Sequence, residues 1–139
     1  VLQTFDGILS TLTRALAGIA AVSLMVAGVL IMNVMLVAVS QRTQEIGLLK
    51  ALGARRRQIL GLFLAEAFYL ALLGALAGLA VGYAVLLVLA QVYPEFHFVP
   101  PVWAVAGAVA LAVGCGMLFG ILPARRAARL DPVTALARR

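Results

Sequence analysis

The sequence predicts an all-α integral membrane bundle, with three transmembrane helices and a short cytoplasmic helix between the first two. Three observations predict it. The 139 residues are 65% hydrophobic and only 12% charged, against roughly half apolar in ordinary soluble domains, and the mean hydropathy is +1.13. Residues 15–41, 67–94 and 96–124 form runs of 27, 28 and 29 positions without a formal charge. Lysine and arginine are gathered in two blocks beside these runs. That placement also disposes of a nucleic-acid role for the net charge of +6. Basic nucleic-acid binders spread their charge over a polar face, whereas blocks flanking apolar runs are how cytoplasmic membrane flanks look.

Each run exceeds the roughly 20 apolar residues needed to cross a hydrocarbon core of about 30 Å. Backbone groups in lipid must bond within their own segment, so the runs are helices. The elements expected in order are an outward extension (1–14), a span (15–40), a helical linker (41–54), an interfacial segment with a span (58–90), a loop (91–101), a span (102–122) and a tail (123–139). The linker carries Arg42, Lys50, Arg55, Arg56 and Arg57, and the tail Arg125, Arg126, Arg129, Arg138 and Arg139, against Arg14 alone on the other side. By the positive-inside rule the linker and the C-terminus are cytoplasmic. An odd number of spans then starts outside, and the first residue is Val1 rather than Met. The chain therefore reads as the C-terminal part of something longer.

Within the extension, Leu2, Phe5, Leu9, Leu12 and Leu16 follow a 3-4-3-4 spacing. This stripe suits either the amphipathic end of the first helix or a stalk packed against a second subunit. As one helix, residues 58–90 would measure about 50 Å, so residues 58–68 are expected at the cytoplasmic interface, tilted or kinked against the span. Glu66 then sits at headgroup depth, as a partner for the arginines at 55–57 or for water rather than part of an ion path. Gly74, Gly78 and Gly82 form a GxxxGxxxG ridge, and Gly116 with Gly120 a shorter one. Small residues four apart allow close helix approach in lipid, so both ridges are expected to hold the bundle together, and Asn33 to hydrogen-bond between helices. Pro123 should end or kink the last span. Arg125, Arg126 and Arg129 share a helix face, and with Arg55, Arg56 and Arg57 they suit an anionic membrane surface. Asp131 and Pro132 read as the cap and first position of a short final helix.

The linker is the most informative segment. Ser40 or Thr43 can cap a helix start, Glu45 suits its first turn, and Gly53 suits its C-terminal end. Ile46, Leu48, Leu49 and Leu52 cover about half of the wheel. Thr43, Gln44, Gly47, Lys50 and Ala51 lie opposite, where Gly47 and Ala51 leave a shallow place for another surface. Such a helix either rests on headgroups or docks a soluble partner.

Residues 41–60, QRTQEIGLLKALGARRRQIL, followed by FLAEA at 63–67, resemble the core signature of FtsX-like permeases of the MacB type of ABC transporter. Residues 120–136, GILPARRAARLDPVTAL, are similar to the same family's ending. The resemblance implies four spans, of which this chain holds the second to fourth, with a large extracytoplasmic domain between the first two. It implies a bacterial inner-membrane permease working as a dimer, with an ABC nucleotide-binding domain, fused or separate, supplying ATP and magnesium. A periplasmic adaptor and membrane lipids complete the partners. On that analogy Thr43, Gln44, Glu45, Ile46, Gly47, Leu48, Leu49, Lys50, Ala51, Leu52 and Gly53 form the coupling helix. Force entering there would pass along the first helix, for export or mechanotransmission. An FtsX-like scaffold regulating an external hydrolase is the alternative, and a secondary transporter a weaker one, since the spans lack paired ionisable groups. No Walker motif, nucleophile with base or paired carboxylate is present. His97 is the only histidine and Cys115 the only cysteine, so neither a metal cluster nor an internal disulfide is expected.

Overall fold

The computed structural model describes residues 1–95 and 97–137. Phe96, Arg138 and Arg139 lie outside them. Five helices follow one another: α1 (Leu2–Gln41), α2 (Thr43–Ala51), α3 (Arg56–Val92), α4 (Val102–Ala128) and α5 (Pro132–Ala137). α1, α3 and α4 are each long and apolar enough to cross a membrane. The three predicted spans are present, and α1 and α3 are longer than their uncharged runs. α1 has 40 residues, about 60 Å at 1.5 Å per residue, twice a hydrocarbon core.

α4 is the central element. It packs along α3 and against α1, while α1 meets α3 only weakly. The closest approach is made by small side chains. A Cβ at Gly116 would stand 2.5 Å from the Ala71 Cβ, and one at Gly120 would stand 2.6 Å from that of Ala67. No real Cβ contact is that short, so the α3–α4 spacing requires glycine at both positions. Gly28 of α1 gives the Phe119 ring its seat in the same way.

The longer ridge behaves otherwise. Gly74, Gly78 and Gly82 are exposed, and an added Cβ would meet nothing within 4 Å at any of them. The expectation that they hold this bundle together is corrected. Gly74 lines a gap toward α1 and α4 with Leu24, Ala27 and Cys115. Gly78 and Gly82 line a groove with Pro100, Ala104 and Ala108. The close packing falls instead to Ala67 and Ala71, nearer the start of α3.

The core sits at one end of the bundle. Met35 and Val39 of α1, Ile46 of α2, Ile59, Phe63 and Ala67 of α3, and Ala124, Ala127 and Ala128 of α4 form a single buried cluster. This core bears on two elements of the sequence reading. α3 is one continuous helix from Arg56 onward, with Ile59 and Phe63 repeating at the spacing of Ala67 and Ala71 in a single buried stripe. α4 continues past Pro123 to Ala128, because Pro123 is itself buried and the alanines after it are core residues. A proline in a helix forfeits one backbone bond, and packing on both sides holds the helix through it. The core end is also the basic end, where Arg55, Arg56, Arg57, Arg125, Arg126 and Arg129 are all exposed.

Glu66 pairs with Arg42, at the junction of α1 and α2, at 3.6 Å, and not with residues 55–57. The side chains are 34% and 53% exposed, and exposed pairs are worth about 0–1 kcal/mol. Glu66→Gln is therefore expected to change thermal stability in detergent by less than about 1 kcal/mol. A larger loss would mean that Glu66 carries more than a surface pair.

The first half of α1 stands free of the bundle. Leu2, Phe5, Leu9, Leu12 and Leu16 are all exposed, and Ile19, Val26, Leu30 and Val37 continue the same spacing, also exposed. Asn33 lies on this stripe, opposite the face of Gly28 and Met35 that meets the bundle. It is exposed, and among the described residues its side chain has no hydrogen-bond partner, so helix-to-helix bonding within this chain is corrected.

Candidate coupling site

α2 is short, and its ends are built by the backbone rather than by side-chain caps. Ser40 and Thr43 were expected to cap it. Instead the Ser40 hydroxyl donates back to the Val37 carbonyl, and the Thr43 hydroxyl faces the carbonyls of Val39 and Ser40. α1 runs to Gln41 and only Arg42 interrupts the helical path, so no hydroxyl is left in a capping position. Glu45 does lie in the first turn, where a carboxylate complements the helix dipole. The far end matches the sequence reading. Gly53 has φ +98°, its N–H donates to the Lys50 carbonyl, and the Ala54 N–H donates to that of Leu49. This is a Schellman turn, which needs the left-handed conformation glycine supplies. α3 starts two residues later, with the Gln58 side-chain oxygen accepting from the Arg55 N–H at 2.8 Å.

The buried positions of α2 come from both sides of the wheel. Ile46 and Gly47 are buried, Thr43 and Lys50 half-buried. Ile46 joins the core. Gly47 and Ala51 were expected to leave room for an outside surface, but α5 of the same chain fills it. A Cβ on Gly47 would stand 2.8 Å from the Ala135 Cβ and 3.5 Å from both Leu136 Cγ and the Pro132 carbonyl oxygen. A bulky residue at 47 would displace α5 rather than block an incoming partner. The exposed face carries Leu48, Leu49 and Leu52, with Leu52 as much as 78% exposed, and Gln44, Glu45 and Ala51 beside them.

Two features of the site escaped the sequence reading, the partners of Lys50 and the contact made by Ala135. The Lys50 ammonium donates to the backbone carbonyls of Ala128 and Leu130, at the end of α4. Burial draws its pKa below the usual lysine value, neighbouring Arg56 adds to this, and Asp131 opposes it. Ala135 packs on Gly47. The available signal was size: a glycine on α2 and an alanine on the tail helix complement each other. α5 itself begins as expected, with the Val133 N–H donating to Asp131 Oδ1 at 3.2 Å and Thr134 bonding the other carboxylate oxygen. Thr43, Arg129, Leu130 and Thr134 border a small cleft at this junction.

The geometry is that of a short helix clamped on one side by its own chain and open along an apolar edge on the other. Comparison with known proteins gives it a family. The FtsX-like permease C-terminal family model matches residues 17–132. The chain is 49% identical over 129 residues to the pyoverdine export ATP-binding/permease protein PvdT of Pseudomonas fluorescens (strain Pf0-1), covering 91% of this chain and 19% of that protein. It is 44% identical over 136 residues to the macrolide export ATP-binding/permease protein MacB of Shewanella sp. (strain W3-18-1), covering 98% and 21%. To MacB of Azoarcus sp. (strain BH72) it is 47% identical over 141 residues, covering 99% and 21%. The chain thus spans about a fifth of the length of the curated relatives it matches. With the match running from within α1 to the start of α5, the chain belongs to the FtsX-like permease family.

Proposed function

We propose that the chain is the membrane part of an ATP-driven export or mechanotransmission complex, and that α2 is where force from ATP hydrolysis enters it. The observation that carries this reading is the open edge of α2. Leu48, Leu49 and Leu52 are held outward by a helix whose other side is packed, and an exposed apolar edge on a basic, water-facing end suits a soluble partner. The relatives named ATP-binding/permease proteins support an ABC nucleotide-binding domain, with ATP and magnesium, as that partner. This chain supplies the docking face and the spans, and no catalysis of its own.

The ten-to-one distribution of Lys and Arg supports an inner-membrane orientation with α2, α5 and the C-terminus in the cytoplasm. A second copy is the proposed cover for the α1 stripe, with Asn33 finding its hydrogen-bond partner there, because an amide left unpaired in hydrocarbon is costly. The stripe beyond the membrane would then form a stalk that carries motion outward, toward a periplasmic adaptor or a cargo. The unbroken spans and the surface pairing of Glu66 give no support to a secondary transporter.

The test is made on the full-length protein in inverted vesicles and intact cells. A single cysteine at residue 99 should react with a membrane-impermeant thiol reagent in intact cells, and one at residue 45 only in inverted vesicles. ATP hydrolysis by the nucleotide-binding part should change when the membrane part is present. The opposite labelling pattern, or hydrolysis indifferent to the membrane part, would overturn the reading.

A further inference from the structure

α2 is tied to the spans along the chain at both ends, to α1 and through residues 52–55 to α3, and by one further contact that does not follow the chain. At its start, Arg42 joins it directly to α1. At its end, Lys50 bonds the carbonyls of Ala128 and Leu130, which bracket the C-terminus of α4. The Lys50 tie links residues 78 and 80 positions apart in sequence, so it exists only in the folded chain.

Its chemistry suits a fixed joint. The last carbonyls of a helix have no partners within it, and the dipole there favours a cation. An ammonium offers three donors from one point, so a single side chain can hold two carbonyls that diverge as α4 ends. Next to it Gly47 lets α5 approach to contact distance, and Ala135 in that contact is only 2% exposed. Asp131 fixes the first turn of α5 directly after α4. α4, α5 and the inner side of α2 therefore form one block, closed by Lys50 and the Gly47–Ala135 contact, while the leucine edge faces away from it.

We infer that Lys50 is a positioning residue for coupling: with α5 it clamps α2 to the end of α4, so that force arriving on α2 moves α4 together with α1. The inference rests on the reading of α2 as the coupling helix. It changes that reading in one respect. Along the chain, motion enters α1 through Arg42 and α3 through residues 52–55, while α4 has no chain link to α2. With the clamp, α4 is driven directly, and the contacts of Gly116 and Gly120 with Ala71 and Ala67 keep it in step with α3.

The test uses the full-length protein in lipid nanodiscs on a cysteine-free background, with an environment-sensitive fluorophore at residue 9 of α1 or residue 102 of α4. Both positions are exposed. The response of each reporter to ATP with vanadate is read beside the rate of ATP hydrolysis. In the unaltered protein both reporters should respond. In Lys50→Met the α4 response should fall roughly tenfold relative to the α1 response at the same rate of hydrolysis, the scale of losing a charge-assisted pair of hydrogen bonds. Lys50→Arg, which keeps the charge and offers several N–H donors, should restore most of the α4 response. Ala135→Val, which crowds Gly47 from the α5 side, should reproduce the selective loss and serves if Lys50→Met does not fold. A full α4 response in both variants would overturn the clamp while leaving the coupling helix standing. Absence of any response at either reporter in the unaltered protein would instead overturn the coupling reading on which the clamp rests.

Discussion

Leucine at position 120 should disrupt the α3–α4 pair, and with it the bundle. The Gly120 Cα is so close to α3 that even a methyl group would stand 2.6 Å from the Ala67 Cβ. Ala67 is fully buried and belongs to a helix, not to a flexible side chain, so relief requires the two helices to part. Forcing extra methylenes into a packed interior costs about 1–3 kcal/mol, and a leucine here adds four heavy atoms. We expect Gly120→Leu to cost at least about 3 kcal/mol, the top of that range, and Gly116→Leu a similar amount against Ala71. Gly114 is the internal control, because nothing lies within 4 Å of its would-be Cβ. Gly114→Leu should stay within about 0.5 kcal/mol of the unaltered protein. Thermal unfolding of the three variants in one detergent decides it. Equal stability of the 114 and 120 variants would remove the close approach as the organising contact.

The second large effect is on coupling. Leu48 and Leu49 are exposed in the isolated chain, so replacing both by glutamate should leave the fold of this domain intact. Burial of a leucine against a partner is worth about 1.5–3 kcal/mol, and a buried unpaired carboxylate adds a further penalty. The double variant should therefore lose about 100-fold or more of its affinity for the nucleotide-binding part, since 1.4 kcal/mol is tenfold. In a fused protein the same loss appears as ATP hydrolysis without an outward response. The melting temperature serves as the check that the domain is undisturbed. Intact coupling in the double variant would mean that the leucine edge rests on headgroups, as an interfacial helix does.

Spans were legible in the sequence because bilayer thickness sets a length that few other structures need, and three uncharged runs met it. Stops and starts set by single residues were legible too. Gly53 takes the one positive φ among the described residues, and Asp131 with Pro132 opens α5. Facing was the harder problem. In lipid, a side chain that packs on a helix and one that meets an acyl chain are equally apolar, so a GxxxGxxxG ridge shows where a helix could be approached, not whether it is. Gly74, Gly78 and Gly82 look the same in sequence as Gly116 and Gly120, and only the second pair is in contact. α2 misled for a related reason. The shallow place at Gly47 was read as open to an outside surface, yet α5 fills it, and no local pattern shows that the tail folds back by more than 80 residues to reach it. The helix was visible in its own segment, while its partner was not.

One measurement bears most directly on the claim that force enters through the open edge of α2. A photo-crosslinking amino acid is placed at residue 48, and in a second protein at residue 46, with irradiation in native membranes in the presence of the nucleotide-binding part. Leu48 is on the open edge and Ile46 is buried in the core. The account predicts that position 48 captures the nucleotide-binding part in an ATP-dependent yield, while position 46 captures only segments of its own chain. Capture of lipid alone at position 48, with or without ATP, would contradict it.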